Sequence, residues 1–148
     1  MVRRRSQRRA PAIEAKAAVV LIDTHVWVWW IGGLSRLPEK YRDALRRLHE
    51  PPLLSVISLW EVSLLAQAAR IDLAPDPRRW MARATRAELV RLVQIDGAIA
   101  AQLLELPRTL PRDPADRIIA ATARTLQVPV LTVDRQLLAS GAVRRWDV

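Results

Sequence analysis

The sequence predicts an α/β domain, with a central parallel sheet of four to five short strands covered by helices on both faces. Four short apolar runs, at 17–22, 52–55, 89–94 and 128–133, have the length and composition of strands within such a sheet. Segments with apolar residues at helical spacing separate these runs. Strands that alternate with helices in this way form parallel sheets through right-handed crossovers.

In the first half of the chain, strands lead into helices. The β-branched run AAVVLI at 17–22 predicts the first strand, and Thr24 can cap the helix that follows. A second helical stretch covers roughly 38–49. A short strand at 52–55 then precedes a helix over about 57–69, in which leucine, valine and alanine residues form one apolar stripe.

The second half repeats this alternation. Prolines punctuate the turn before a helix at 77–86, and a strand at 89–94 follows. Asp96 can cap a helix that ends near residue 106. Pro114 stands in the first turn of a helix that continues to about residue 127, and the run VPVLTVD at 128–134 predicts the last strand.

Length and composition predict one folded domain over 17–148, because 148 residues, 51% of them hydrophobic, suffice for a core. Residues 1–16 are basic and lack periodicity, which predicts a flexible tail or a start assigned upstream of the true one. The absence of cysteine excludes disulfides, thiol catalysis and cysteine-bound zinc, and fits a cytoplasmic protein. The apolar runs are much shorter than the roughly 20 residues that span a bilayer, so no membrane segment is expected.

The charge balance is strongly basic. The formal net charge is +9, and arginine supplies nearly all of the positive charge, since Lys16 and Lys40 are the only lysines. Guanidinium groups match phosphate geometry and their binding releases counterions, which favours a nucleic-acid partner. A GC-rich genome, or a surface that receives an acidic protein, gives the same excess. Charge alone therefore does not identify the partner.

Acidic residues stand at corresponding ends of the predicted elements. Asp23 ends the first strand and Asp134 ends the last. Because ligands bind beyond the carboxyl ends of strands in open α/β sheets, both side chains are expected at the same rim. Glu61 lies one turn into the helix after the second strand, and Asp113 and Asp116 open the helix before the last strand. Four or five carboxylates therefore converge.

Such a cluster predicts a metal site. Carboxylates that are forced together repel one another unless a cation neutralises them or a proton is shared. Oxygen ligands without cysteine point to Mg²⁺ or Mn²⁺ rather than zinc. These ions activate water and stabilise charge on a phosphoryl group, so the cluster suits phosphodiester hydrolysis.

Each acid also has a purely structural interpretation, because aspartate after a strand often forms a turn or caps a helix. Asp72, Asp76 and Asp96 occupy such places with no common alignment, and we interpret them as structural. The joint placement of the others at the rim favours function. Glu61 adds to this, since a carboxylate next to Trp60 in an apolar stretch is costly unless it is paired or bound to metal.

Four segments together resemble the PIN-domain family, and within it the VapC-type toxins of bacterial toxin–antitoxin pairs. The similar segments are LIDTHVWVWW, LSRLPEKYRDAL, SVISLWEVSLLAQAARI and RDPADRIIAATARTLQVPVLTVD. The resemblance extends from about Val19 to the C-terminus. Any one segment is a weak signal, whereas their order and spacing are fairly specific to this branch.

The resemblance implies that Asp23, Glu61, Asp116 and Asp134 surround Mg²⁺ or Mn²⁺ in a ribonuclease. It further implies a homodimer and inhibition by a small cognate antitoxin. Asp113 matches the first acid of the family's DPFDR segment and is expected to support the loop or the second shell. The sequence departs from the family at two positions, where Pro111 and Ala115 replace a frequent histidine and aromatic residue. These departures leave all four acids in place.

Other residues near the acids have two interpretations each. His25 follows the first acid by two residues and either contacts substrate phosphate or caps and packs near the helix start. Arg117 either binds a phosphate or pairs with one of the acids, and pairing is the favoured expectation. Trp27 and Trp30 are expected in the core or at a dimer surface. Exposed tryptophans are expected at positions 29 and 80, at a protein interface rather than at RNA.

The favoured function is a metal-dependent endoribonuclease that acts as the toxin of a toxin–antitoxin pair. Two alternatives stay open: a nucleic-acid-binding module with an idle acidic site, and a metal-dependent DNA nuclease. A phosphotransfer site is disfavoured, because such sites place a lysine near the nucleophilic aspartate and the predicted core has no suitable lysine.

Overall fold

A parallel four-stranded sheet forms the centre of the protein in the computed structural model, which describes residues 18–148. The expected basic tail at 1–16 lies outside the described residues. The strands are β1 (Leu21–Ile22), β2 (Leu53–Ser55), β3 (Arg91–Val93) and β4 (Val130–Leu131). All three pairings are parallel, in the order β3-β2-β1-β4. The predicted α/β class is confirmed, and each strand is shorter than its apolar run.

Seven α-helices alternate with these strands within residues 18–148. They are α1 (Thr24–Ile31), α2 (Glu39–Arg46), α3 (Val56–Gln67), α4 (Pro77–Ala84), α5 (Gly97–Gln102), α6 (Pro114–Leu126) and α7 (Arg135–Ala139). A short 3₁₀ helix at Leu103–Glu105 extends α5. Helix α7 was not expected from the sequence, since it spans only five residues and has no long apolar period.

The helices lie on both faces of the sheet because side chains alternate along each strand. Ile22 and Leu131 belong to the core cluster that contains residues of α1, α2, α3 and α4. Their neighbours Leu21 and Val130 belong to a second cluster with Ile119 and other residues of α6. This alternation gives the three layers that the sequence predicted.

Two tryptophans stabilise the layer of α1 and α4. Trp27 is fully buried, and its ring packs edge-on against Trp80 with the centroids 5.1 Å apart. The indole N–H of Trp27 donates a hydrogen bond to the carbonyl oxygen of Ala84 at 3.1 Å. Trp80 is only 6% exposed, so its expected place at the surface was wrong. Trp60 is instead the exposed tryptophan of the described chain, at 49%.

No helix within residues 18–148 has the length and hydrophobicity needed to cross a membrane.

Candidate active site

Several of the predicted acids are the N-caps of helices, at positions between the end of a strand or loop and the start of a helix. Asp23 follows β1 directly and is the N-cap of α1, while Asp134 follows β4 closely and is the N-cap of α7. Since β1 and β4 are neighbours in the sheet, both acids come to the same rim. The expectation that Thr24 caps α1 was wrong, because the preceding aspartate is better placed to accept from the first free backbone N–H.

Asp23 is the most buried of these acids, with 4% of its surface exposed. Its Oδ1 accepts a hydrogen bond from the backbone N–H of Thr24 at 2.7 Å. Its Oδ2 accepts one from the hydroxyl of Thr132, also at 2.7 Å. Burial raises the pKa of Asp23 above 3.8, and these two hydrogen bonds partly counteract the rise.

Glu61 is half-buried on the second turn of α3, and it faces the start of α1. Its Oε2 accepts a hydrogen bond of 2.8 Å from the hydroxyl of Thr24. Burial raises the pKa of Glu61; the Thr24 hydrogen bond lowers it, and the charge of Asp23 raises it further. Glu61 and Asp23 therefore share one anchoring residue.

Asp116 lies in the first turn of α6, where Asp113 is the N-cap. The carboxylate of Asp113 accepts a hydrogen bond from the backbone N–H of Asp116 at 3.0 Å, so Asp113 caps the helix that carries Asp116. Burial raises the pKa of Asp116 from 3.8 to about 7. Four negative charges add to this rise, those of Asp23, Asp113, Asp134 and Glu61. The predicted acids thus lie close enough to repel one another.

Asp134 is joined to Asp23 through Thr132. The hydroxyl of Thr132 accepts from the backbone N–H of Asp134 at 3.0 Å while it donates to Asp23. Asp134 itself accepts from the backbone N–H groups of Gln136 and Leu137 through Oδ1. Thr132 was not predicted from the sequence as part of the site. Its position two residues before the last acid was the available signal.

The accessory residues lie beside the acids. His25 is exposed on the first turn of α1, with its ring centroid 5.9 Å from that of Trp29, and it lies near Asp23 and Glu61, where positive charge lowers the pKa of both acids. Arg117 is half-buried on α6. No ion pair within residues 18–148 involves Arg117, so its expected pairing with an acid was wrong.

The carboxylates of the four acids suit a hard divalent cation, because all of their donor atoms are oxygens and because their negative charges repel one another. Asp23, Glu61 and Asp134 each direct a carboxylate oxygen to a hydroxyl or backbone N–H. In this arrangement no three histidine, aspartate or glutamate side chains of the described chain form a group already able to hold a metal. Closing around an ion therefore needs rotation of some carboxylates, which keep unused lone pairs for it.

Comparison with known protein families identifies one domain over most of the chain. The model of the PIN domain matches residues 20–141. Ribonuclease VapC22 of Mycobacterium tuberculosis (strain ATCC 25618 / H37Rv) is 38% identical over 118 residues, which cover 80% of this chain and 88% of that protein.

Solved structures share the fold at lower sequence identity. VapBC2 from Rickettsia felis, bound to a DNA fragment from its promoter, includes a chain that matches with a TM-score of 0.64 at 17% identity, over 87% of this chain and 99% of that one. DNA-bound VapBC from Salmonella typhimurium gives a TM-score of 0.62 at 22% identity, over 88% and 98%. FitAcB from Neisseria gonorrhoeae gives 0.57 at 21% identity, over 86% and 96%.

Proposed function

The chain belongs to the PIN-domain family, and from this premise we propose that it is a divalent-metal-dependent endoribonuclease, the toxin of a toxin–antitoxin pair. The observation that carries the proposal is the gathering of four acids at one rim of the sheet, where burial and then the neighbouring negative charges raise the pKa of Asp116 to about 7. Half-buried carboxylates that repel one another need a cation to remain ionised at neutral pH. Asp23, Glu61, Asp116 and Asp134 would supply the ligands.

Mg²⁺ or Mn²⁺ in this place would lower the pKa of a water molecule and stabilise negative charge on the phosphoryl group. The chain's own residues contribute position and charge. Thr132 and the backbone of Thr24 hold Asp23 in one orientation by two hydrogen bonds. His25 and Arg117, which form no ion pair with these acids within residues 18–148, would contact phosphate oxygens of the substrate.

RNA is the proposed substrate because a 38% identical relative is named a ribonuclease and because the net charge of +9 favours a polyanion. Such an enzyme would act in the cytoplasm, as expected for a protein without cysteine. If the chain is instead a metal-dependent DNA nuclease, it will cut DNA in preference to RNA when it is given matched strands of the two. A binding module with an idle acidic site predicts RNA binding in chelator and no products at any metal concentration.

A small cognate antitoxin is the proposed protein partner, and a homodimer is the proposed assembly. An open groove between α3 and α4 supports the antitoxin proposal, because it exposes Trp60 and Leu64 next to Glu61 on the same helix. Exposed aromatic side chains are typical anchors of protein interfaces. Co-expression with the neighbouring reading frame tests the pair, and light scattering on the purified chain tests the dimer.

Substitution of Asp23 tests the proposed reaction. Asp23→Asn keeps the size of the side chain and removes one ligand charge, so we expect Mg²⁺-dependent cleavage of single-stranded RNA to fall by at least about 100-fold. Asp72→Asn is the matched control, because Asp72 is exposed in the segment between α3 and α4 and is not one of the four acids. Equal cleavage by wild type and Asp23→Asn, both folded by circular dichroism, would refute the proposal.

A further inference from the structure

Two buried hydroxyl groups form a chain of hydrogen bonds that ends on Glu61. Thr24, the first residue of α1, is 1% exposed, and Ser58, on the first turn of α3, is fully buried. The hydroxyl oxygens of the two residues are 2.8 Å apart. The Thr24 hydroxyl also donates to Oε2 of Glu61 at 2.8 Å.

The hydrogen bonds that link Ser58, Thr24 and Glu61 have one consistent donor-to-acceptor direction. A threonine hydroxyl carries a single hydrogen, and an ionised carboxylate only accepts. Since the hydrogen of Thr24 points to Glu61, its bond with Ser58 requires Ser58 to be the donor. Ser58 therefore fixes the rotation of the Thr24 hydroxyl, and the arrangement is complete only when Glu61 offers an acceptor oxygen.

Thr24 also holds a second acid through its backbone. Its N–H donates to Oδ1 of Asp23 at 2.7 Å, while its side chain reaches Glu61 on a helix 37 residues further along the chain. Both carboxylates therefore accept a hydrogen bond from Thr24, although they belong to different elements. The hydroxyl does not cap α1, because Asp23 already does so.

We propose that Thr24 is a positioning residue, oriented by Ser58, which holds the carboxylates of Asp23 and Glu61 beside each other, so that less rotation is needed when the acids close around a divalent cation. This inference rests on the proposed function. A hydroxyl that only fills space in the core would affect stability and leave metal affinity unchanged. Hydrogen-bond partners of metal ligands typically contribute about 10- to 100-fold to metal affinity.

The test is calorimetric titration of Mn²⁺ into the full-length, metal-free protein, without RNA. Thr24→Val keeps the shape of the side chain and removes the hydroxyl, so we expect Mn²⁺ affinity to fall about 10- to 100-fold. Thr24→Ser keeps the hydroxyl and should bind within about threefold of wild type. Ser58→Ala removes only the orienting donor, and we expect a loss of about three- to tenfold.

Ser63→Ala is the matched control, because the Ser63 hydroxyl on the same helix donates only to the carbonyl oxygen of Leu59. Unchanged Mn²⁺ affinity in Thr24→Val, or equal losses in Thr24→Val and Thr24→Ser, would overturn the positioning role. If Thr24→Val does not fold, unchanged affinity in Ser58→Ala would overturn it. Wild type that binds no Mn²⁺ would overturn the proposed function as well, whereas wild type that binds Mn²⁺ and cuts RNA would leave that function standing.

Discussion

Removal of the Asp116 charge should stabilise the protein in the absence of metal. The folded-state pKa of Asp116, about 7, lies above its ordinary value of 3.8, chiefly because the side chain is buried and then because of neighbouring negative charges. Between pH 4 and 7 the folded state therefore binds more protons than the unfolded state. By linkage, the free energy of unfolding must fall as pH rises through this window and stay low above it.

The size of the effect follows from the two pKa values. A rise from 3.8 to about 7 corresponds to at most about 4 kcal/mol, at 1.36 kcal/mol per pH unit. Asp116 is half-buried, so solvent screening reduces this figure, and we expect Asp116→Asn to gain about 1–2 kcal/mol at pH 8. The gain corresponds to roughly 3–8 °C in Tm and should vanish near pH 4, where the wild-type carboxyl is neutral.

Urea denaturation with EDTA at pH 4.5, 6 and 8 measures this difference directly. The wild type should lose stability across the series, in the direction that the raised pKa values of Asp23 and Glu61 also favour. The difference between wild type and Asp116→Asn should grow with pH. A buried, repelled Asp116 is incompatible with an Asp116→Asn variant that is less stable than wild type at pH 8, or with a stability difference that does not depend on pH.

Three further predictions concern the substrate, the metal and the core. Arg117→Gln should lower kcat/KM for RNA by about tenfold and reduce the salt dependence of RNA binding by about one counterion. Arg124→Gln, at the far end of the same helix, should have neither effect. Equal effects of the two substitutions would contradict phosphate binding by Arg117. EDTA should abolish RNA cleavage and excess Mg²⁺ should restore it, so cleavage that persists in chelator would exclude the metal. Trp80→Ala should lower the free energy of unfolding, measured by urea denaturation, by roughly 3–5 kcal/mol, because it opens a cavity beside Trp27. Trp60→Ala at the exposed groove should lower it by under about 1 kcal/mol. The reverse order of the two losses would contradict the assigned burial.

The sequence predicted the layers of the fold because strand and helix periodicities differ strongly in this chain. The pattern of buried strands followed by capped helices predicted the parallel sheet and the edge at which its strands end. Element ends were less predictable, since the apolar run at 17–22 continues past the two residues that pair in β1. Trp80 was misplaced because its burial depends on a tertiary contact with Trp27, which no local pattern reveals.

At the candidate site, the positions of the acids followed from the ends of the elements, while their partners did not. Thr24 was interpreted as a helix cap because threonine after a strand usually has that role. Its hydroxyl instead bonds Glu61, a contact between residues 37 positions apart. Thr132 bonds Asp23 across 109 positions. Side chains that act through such long-range hydrogen bonds are identified by the packing of the elements, which sequence spacing does not specify.

The most direct test of the central claim, that these acids bind a divalent cation, is the number of protons released on Mn²⁺ binding at pH 7. It is measured by calorimetry of the metal-free protein in buffers of different ionisation enthalpy. Because Asp116 has a pKa of about 7, we expect release of on the order of half a proton per site or more, and a clear reduction in Asp116→Asn. Absence of Mn²⁺ binding, or identical affinity and proton release in wild type and Asp116→Asn, would contradict it.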